Sequence, residues 1–129
     1  MSDQIPEDLR YTKEHEWARR EGDLVVVGIT AHAVEQLGDI TLVTVPDAGT
    51  AITQGESFGD IDSVKAVSEL YAPIDGEIAE VNTALEDAPE KVNETPYTDG
   101  WLLKIKPSAP EQLDALLDAE AYATLIKDD

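Results

Sequence analysis

The stretch Gly59-Asp60-Ile61-Asp62-Ser63-Val64-Lys65-Ala66-Val67-Ser68-Glu69-Leu70-Tyr71-Ala72-Pro73-Ile74-Asp75-Gly76 decides how the chain is read. Ile61 and Val64 stand before the lysine, and Val67, Leu70 and Tyr71 follow it. β-Branched residues bounded by Gly and Pro punctuation favour two extended runs over a helix. The tip of the resulting hairpin falls at residues 64–66, where no Asn-Gly or Gly-X pair stands. A slightly longer type I loop is therefore expected in place of the tightest turns. Between Asp60 and Leu70, Lys65 is the only cation. A single amine at the end of a rigid hairpin is a group that a lysine-modifying enzyme can recognise by shape, although a solvated lysine on a turn would look the same.

Outward from the hairpin, the same punctuation yields further short strands. Glu14 to Arg20 reads as a strand around Trp17, and Glu21-Gly22-Asp23 turns it into Leu24-Val25-Val26-Val27-Gly28-Ile29. That continuous β-branched run marks a strand covered on both faces. Thr30 is a helix N-cap and Gly38 a C-terminal stop, enclosing a short helix from Ala31 to Leu37. Strands follow at Ile40 to Val45 and at Ile78 to Asn82, then an irregular or single-turn helical connection through Pro89. Trp101, Leu103 and Ile105 alternate with Leu102, Lys104 and Lys106 in a half-buried strand. Ser108 and Glu111 form a capping box with Pro110 in the first turn. The box predicts a C-terminal helix over about 109–127 that carries Leu113, Leu116, Leu117, Ala121 and Leu125 on one stripe. The fold class expected is mostly β, antiparallel strands in a sandwich or flattened barrel with short helices and a C-terminal helix, in one domain over 1–129.

Composition narrows the function. The chain of 129 residues has 28 acidic and 9 basic side chains, a net charge of −19. Such a chain is repelled by nucleic acid and by anionic lipid, and no apolar stretch approaches a membrane span. With 42% apolar residues in patterned runs it is nonetheless a packed domain, not a disordered acidic tail. Acids dominate along the whole length, a pattern like that of proteins from salt-loving organisms. Self-repulsion then opposes compaction in dilute buffer, so the melting temperature is expected to climb by several degrees between dilute buffer and molar salt. A thermal scan series that stays flat across that range would refute it. The start of the chain, Met1-Ser2-Asp3-Gln4, has neither a basic region nor an Arg-rich presequence, which points to the cytoplasm.

Built-in catalytic chemistry is scarce. There is no cysteine, hence no thiolate and no Cys-based metal site. Neither a nucleophile elbow, nor a P-loop, nor a twelve-residue calcium loop is present. His15 and Glu16, adjacent on a strand, would point to opposite faces and not share a metal ion. A carrier needs only an exposed amine and a rigid scaffold.

Asp62-Ser63-Val64-Lys65-Ala66-Val67-Ser68-Glu69-Leu70-Tyr71-Ala72-Pro73, followed by Gly76 to Asn82, resembles the lipoyl-attachment segment of the H-protein family of the glycine cleavage system. Asp62 stands where that family typically has Glu. The stretches Pro6 to Trp17, Gly28-Ile29-Thr30 with Gln36 to Ile40, and Asn93 to Trp101 resemble other blocks of the family in the same order; Ala31 stands where an acid is frequent. The resemblance covers nearly the whole chain. It implies a lipoyl-type barrel-sandwich hybrid and lipoate held in amide linkage on Lys65, supplying the redox and group-carrying ability the polypeptide lacks. It implies partners as well: glycine decarboxylase (the P protein), aminomethyltransferase (the T protein), dihydrolipoyl dehydrogenase (the L protein) and a lipoate-attaching enzyme. Glu14, Glu16 and Glu69 align with family positions near the loaded arm, where carboxylates would keep the aminomethyl nitrogen protonated and unable to expel the thiolate. A carrier that relays lipoyl groups to other enzymes needs the same lysine and is the alternative. A biotin carrier would typically place Met beside the lysine, where Val64 and Ala66 stand.

Overall fold

The structure, a computed structural model, describes residues 7–127. Met1-Ser2-Asp3-Gln4 and the ends of the expected 1–129 domain lie outside them. Among the described residues nine strands are formed: β1 (Arg10–Tyr11), β2 (Glu16–Glu21), β3 (Leu24–Ile29), β4 (Ile40–Thr44), β5 (Ala51–Ile52), β6 (Ser57–Ser63), β7 (Val67–Tyr71), β8 (Gly76–Val81) and β9 (Leu103–Pro107). They make two antiparallel sheets, one in the order β1-β2-β3-β9-β8-β5 and one in the order β4-β6-β7. The helices are α1 (Ala31–Leu37), α2 (Ala84–Asp87), α3 (Glu90–Glu94) and α4 (Ala119–Lys127). The fold is thus mostly β, as the spacing of turns predicts.

The run Val25-Val26-Val27 shows why β3 carries no polar face. Val25, Val27 and Ile29 enter the main core with Ile61, Leu70, Ile74, Ile78, Leu103 and Ile105. Val26 points the other way, into a second cluster with Leu9, Tyr11, Trp17 and Tyr122. Both faces of the strand are therefore dry, and alternation has nothing to separate.

α1 has the expected bounds and caps. The Thr30 hydroxyl accepts the Ala33 amide, and the Gly38 amide closes on the Val34 carbonyl.

The C-terminal segment differs from the sequence reading. No continuous helix spans 109–127. A 3₁₀ turn covers Pro110–Ala115, the chain extends at Leu116, and Leu117 exchanges both backbone hydrogen bonds with Tyr11. Only then does α4 begin, and the carboxylate of Asp118 caps it by accepting the Ala121 amide at 2.8 Å. Ser108 does not cap; its amide goes to the Asp75 carbonyl. The apolar residues split accordingly, Leu113 to the main core and Leu117 and Leu125 to the second cluster. The ladder with β1 wins because two backbone hydrogen bonds and the packing of the partly buried Leu117 on the second cluster outweigh continuation of the helix.

Few ion pairs are formed among the described residues. Glu21 meets Arg19 at 3.3 Å and Lys104 at 3.2 Å, but its side chain is half exposed. Such pairs add little stability.

Candidate functional site: the β6–β7 hairpin and its surroundings

β6 ends at Ser63 and β7 begins at Val67, with Asp62 paired to Val67. The turn between them is closed by Ser63. Its amide donates to the Ala66 carbonyl at 2.8 Å, and its hydroxyl accepts the amides of Lys65 (3.3 Å) and Ala66 (3.1 Å). A serine opening a turn and bonding the backbone ahead of it is a known local pattern, so this clamp was available to sequence reading. At the other end of the hairpin, Gly59 has no alternative: a Cβ there would strike the Thr44 carbonyl of β4. The hairpin is consequently pressed onto β4 at its base and locked at its tip.

Lys65 is exposed, and among the described residues no hydrogen bond or ion pair holds its Nζ. Val64 and Val67 on either side are about two-thirds exposed (68% and 67%). The tip does not swing freely, because the Val64 amide donates to the Asp39 carbonyl at 3.1 Å. The lysine stem lies along Gly38, where a Cβ would come within 3.1 Å of Cε. An unpaired amine on a fixed backbone, cradled by a bare glycine, fits an acyl group in amide linkage.

The three glutamates are brought together, though not equivalently. Glu14 and Glu69 are exposed, whereas Glu16 is buried at 1% exposure. β2 starts at Glu16, so Glu14 lies in the turn before it, where His15 adopts φ 72°. One Glu16 oxygen accepts the Thr12 hydroxyl at 2.6 Å and the other accepts the Tyr71 amide at 3.2 Å. Burial pushes its pKa up to about 7, against those two hydrogen bonds and with help from the charge of Glu14. Tyr71 also donates its hydroxyl to Glu69 at 2.8 Å. That hydrogen bond, the Glu69 charge and the charges of Glu14 and Glu16 raise the Tyr71 pKa. Tyr71 is therefore the common neighbour of all three, a role its sequence position did not announce.

His15 and His32 have their rings 4.9 Å apart. His15 Nδ1 lies 2.8 Å from the Tyr122 hydroxyl, which also meets the Thr30 hydroxyl at 2.7 Å. Through His15 and Thr30, the Tyr122 hydroxyl docks α4 against the Thr12–Glu16 turn and the start of α1. No group of three or more possible metal ligands occurs among the described residues, and no helix there is long and apolar enough to cross a membrane.

Comparison with known proteins gives a consistent answer. The family model described as Glycine cleavage H-protein matches residues 9–129. The glycine cleavage system H protein of Anaeromyxobacter sp. (strain K) is 57% identical over 125 residues, covering 97% of this chain and 98% of that protein. The protein of the same name from Chromohalobacter salexigens is 54% identical over 123 residues, covering 95% and 94%. The crystal structure of a glycine cleavage system H protein from Mycobacterium marinum superposes with a TM-score of 0.88 at 43% identity, covering 95% of this chain and 99% of that one.

Proposed function

The chain belongs to the glycine cleavage H-protein family, the lipoyl carriers of that system, and from this premise we propose that Lys65 bears the lipoyl group and that the polypeptide, one domain over 1–129, is itself non-catalytic. The observation that carries the reading is the unpaired, exposed amine at the tip of a hairpin fixed by Ser63 and by the Val64–Asp39 bond. When bound, the lipoyl group supplies a disulfide that takes up the aminomethyl cargo and can be reduced and reoxidised.

The chain's own residues set the conditions. Ser63 and Gly59 hold the hairpin stiff, so the reach of the modified side chain is not lost to backbone motion. Tethering at Lys65 keeps the cargo at high effective concentration at each partner's active site. The partners are the P, T and L proteins of the system, with a lipoate-attaching enzyme acting on Lys65 in the cytoplasm. The exposed Val64 and Val67 offer apolar contact to whichever protein receives the tip.

The carboxylates of Glu14 and Glu69 favour the protonated cargo amine at its nitrogen and deny it the lone pair that would expel the carbon. Glu16 supports them from below, since both its oxygens are occupied and it is closed off from solvent. Replacing Glu14 and Glu69 together by Gln is expected to speed cargo loss from the isolated loaded protein by roughly three- to tenfold, the worth of two exposed charge pairs. Formaldehyde release measured over time decides this; unchanged kinetics remove the two glutamates from the account.

The attachment itself is tested by intact mass of protein from its native host, with peptide mapping. A lipoyl increment on the Lys65 peptide is the expected result, and an unmodified chain would overturn it. Restored glycine turnover on mixing with the P, T and L proteins separates this role from lipoyl relay.

A further inference from the structure

Among the described residues, His15 is the one residue other than glycine with a left-handed backbone, at φ 72°. It stands between Glu14 and Glu16, in the turn that joins β1 to β2. We propose that Tyr122 of α4 is a positioning residue for the cargo: by holding His15 in that conformation, it sets the turn from which Glu14 faces the loaded arm. The inference rests on the reading of Glu14 as a cargo carboxylate, and it gives the C-terminal helix a part in carriage.

A left-handed backbone is unfavourable for a residue with a Cβ, and it persists only where the surroundings over-determine it. Backbone and ring both do so here. The His15 amide donates to the Thr12 carbonyl at 3.1 Å, and the His15 carbonyl accepts the Thr30 amide at 3.0 Å. On the ring, Nδ1 lies 2.8 Å from the Tyr122 hydroxyl. The imidazole also stands edge-on to the Tyr122 ring, 5.7 Å away at 71°, with His32 at 4.9 Å. The backbone bonds would serve any residue. The ring contact is what ties this conformation to α4.

Tyr122 is a firm anchor. It is fully buried and stacked on Tyr11, with centroids 4.6 Å apart and planes 10° from parallel. Its hydroxyl lies 2.7 Å from that of Thr30, which caps α1 by accepting the Ala33 amide. One phenol therefore meets both the turn before β2 and the start of α1. Phenylalanine would keep the stack and lose both polar contacts.

Glu14 needs this support more than its neighbours do. Both Glu16 oxygens are engaged by Thr12 and Tyr71, and Glu69 accepts the Tyr71 hydroxyl. Glu14 is exposed, and among the described residues no hydrogen bond or ion pair holds its carboxylate. Its direction is set by its backbone alone. That direction is toward the cluster, since the charge of Glu14 acts on both Glu16 and Tyr71. Relaxation of His15 to a negative φ would turn Glu14 relative to the fixed start of β2 and carry its carboxylate away.

The test uses the full chain, lipoylated and loaded with cargo, with formaldehyde release followed over time. Tyr122→Phe is expected to lose cargo about two- to threefold faster than wild type, as is Glu14→Gln, since one exposed charge pair is at stake in each. The double variant should lose it no faster than Glu14→Gln alone. In the unloaded protein, the backbone ¹³C shifts of His15 should leave their left-handed values in Tyr122→Phe and keep them in Glu14→Gln. Intact mass should find Tyr122→Phe fully lipoylated. A Tyr122→Phe rate equal to wild type, accelerations that multiply in the double variant, or unchanged His15 shifts overturn the positioning role. A Tyr122→Phe chain that escapes lipoylation would place the effect at the hairpin and overturn it too. An unchanged rate in Glu14→Gln fails earlier: it removes Glu14 from the cargo site, and this inference with it. Should Tyr122→Phe not fold, two variants of His15 decide. His15→Ala should lose cargo faster than His15→Gly, because glycine takes φ 72° without strain, and equal rates overturn the proposal.

Discussion

Arginine in place of Lys65 is expected to leave the fold unchanged, to abolish lipoylation, and to reduce glycine turnover by the reconstituted system to the level measured without the protein. The two halves of that expectation have different physical grounds. Lys65 is exposed, and no hydrogen bond or ion pair among the described residues engages its Nζ. Surface substitutions of this kind change stability by about 0.5 kcal/mol or less. A melting temperature within about 3 °C of wild type is the corresponding control. The charge at the tip is preserved, so electrostatic contact with a partner is not what the variant removes. What it removes is acylability. A guanidinium stays protonated at any pH the enzymes tolerate and offers no free amine to acylate. Intact mass and a glycine exchange assay run side by side separate the outcomes. Turnover at the wild-type rate by a chain that mass spectrometry finds unmodified would end the carrier reading.

How much of this was legible depended on the range of the interactions involved. The strand β3, the helix α1 with its Thr30 and Gly38 caps, and the bounds of the hairpin are each specified by residues within a few positions of one another. Local signals suffice for such elements. In the C-terminal segment two local signals compete. Ser108 and Glu111 spell a capping box, but the cap in use is Asp118, and the choice is made by the ladder between Leu117 and Tyr11, which lie far apart in sequence. The site divides in the same way. Lys65 stood out because it is the lone cation of its stretch. The burial of Glu16 was illegible: glutamate is almost never fully buried, and the groups that permit it include the Tyr71 amide, 55 positions away.

The buried Glu16 makes stability depend on pH in the direction opposite to an ordinary paired carboxylate. Its folded pKa is about 7, against a model-peptide value of 4.5. Below pH 4.5 the residue is protonated in both states and contributes no slope. Between 4.5 and 7 the folded state holds a proton that the unfolded state has released, so stability falls as pH rises; above 7 the effect is complete. The span corresponds to roughly 3 kcal/mol lost between mildly acid and mildly alkaline buffer. Net charge adds to the same trend, because 28 acidic side chains repel one another more fully as they ionise. Glu16→Gln separates the two contributions. The amide matches the protonated carboxyl in shape, accepts the Tyr71 amide through its oxygen and has no charge to expel. The variant should match wild type near pH 4.5 and exceed it by roughly 3 kcal/mol at pH 8, read from urea unfolding at both values. A difference that stays constant from pH 4.5 to 8 would mean that Glu16 does not titrate in the folded protein. A variant less stable at pH 8 would mean that the Thr12 and Tyr71 hydrogen bonds outweigh the burial of the charge. The expected sign follows from the geometry, since two donors at 2.6 and 3.2 Å replace only part of the water that a carboxylate at 1% exposure has lost.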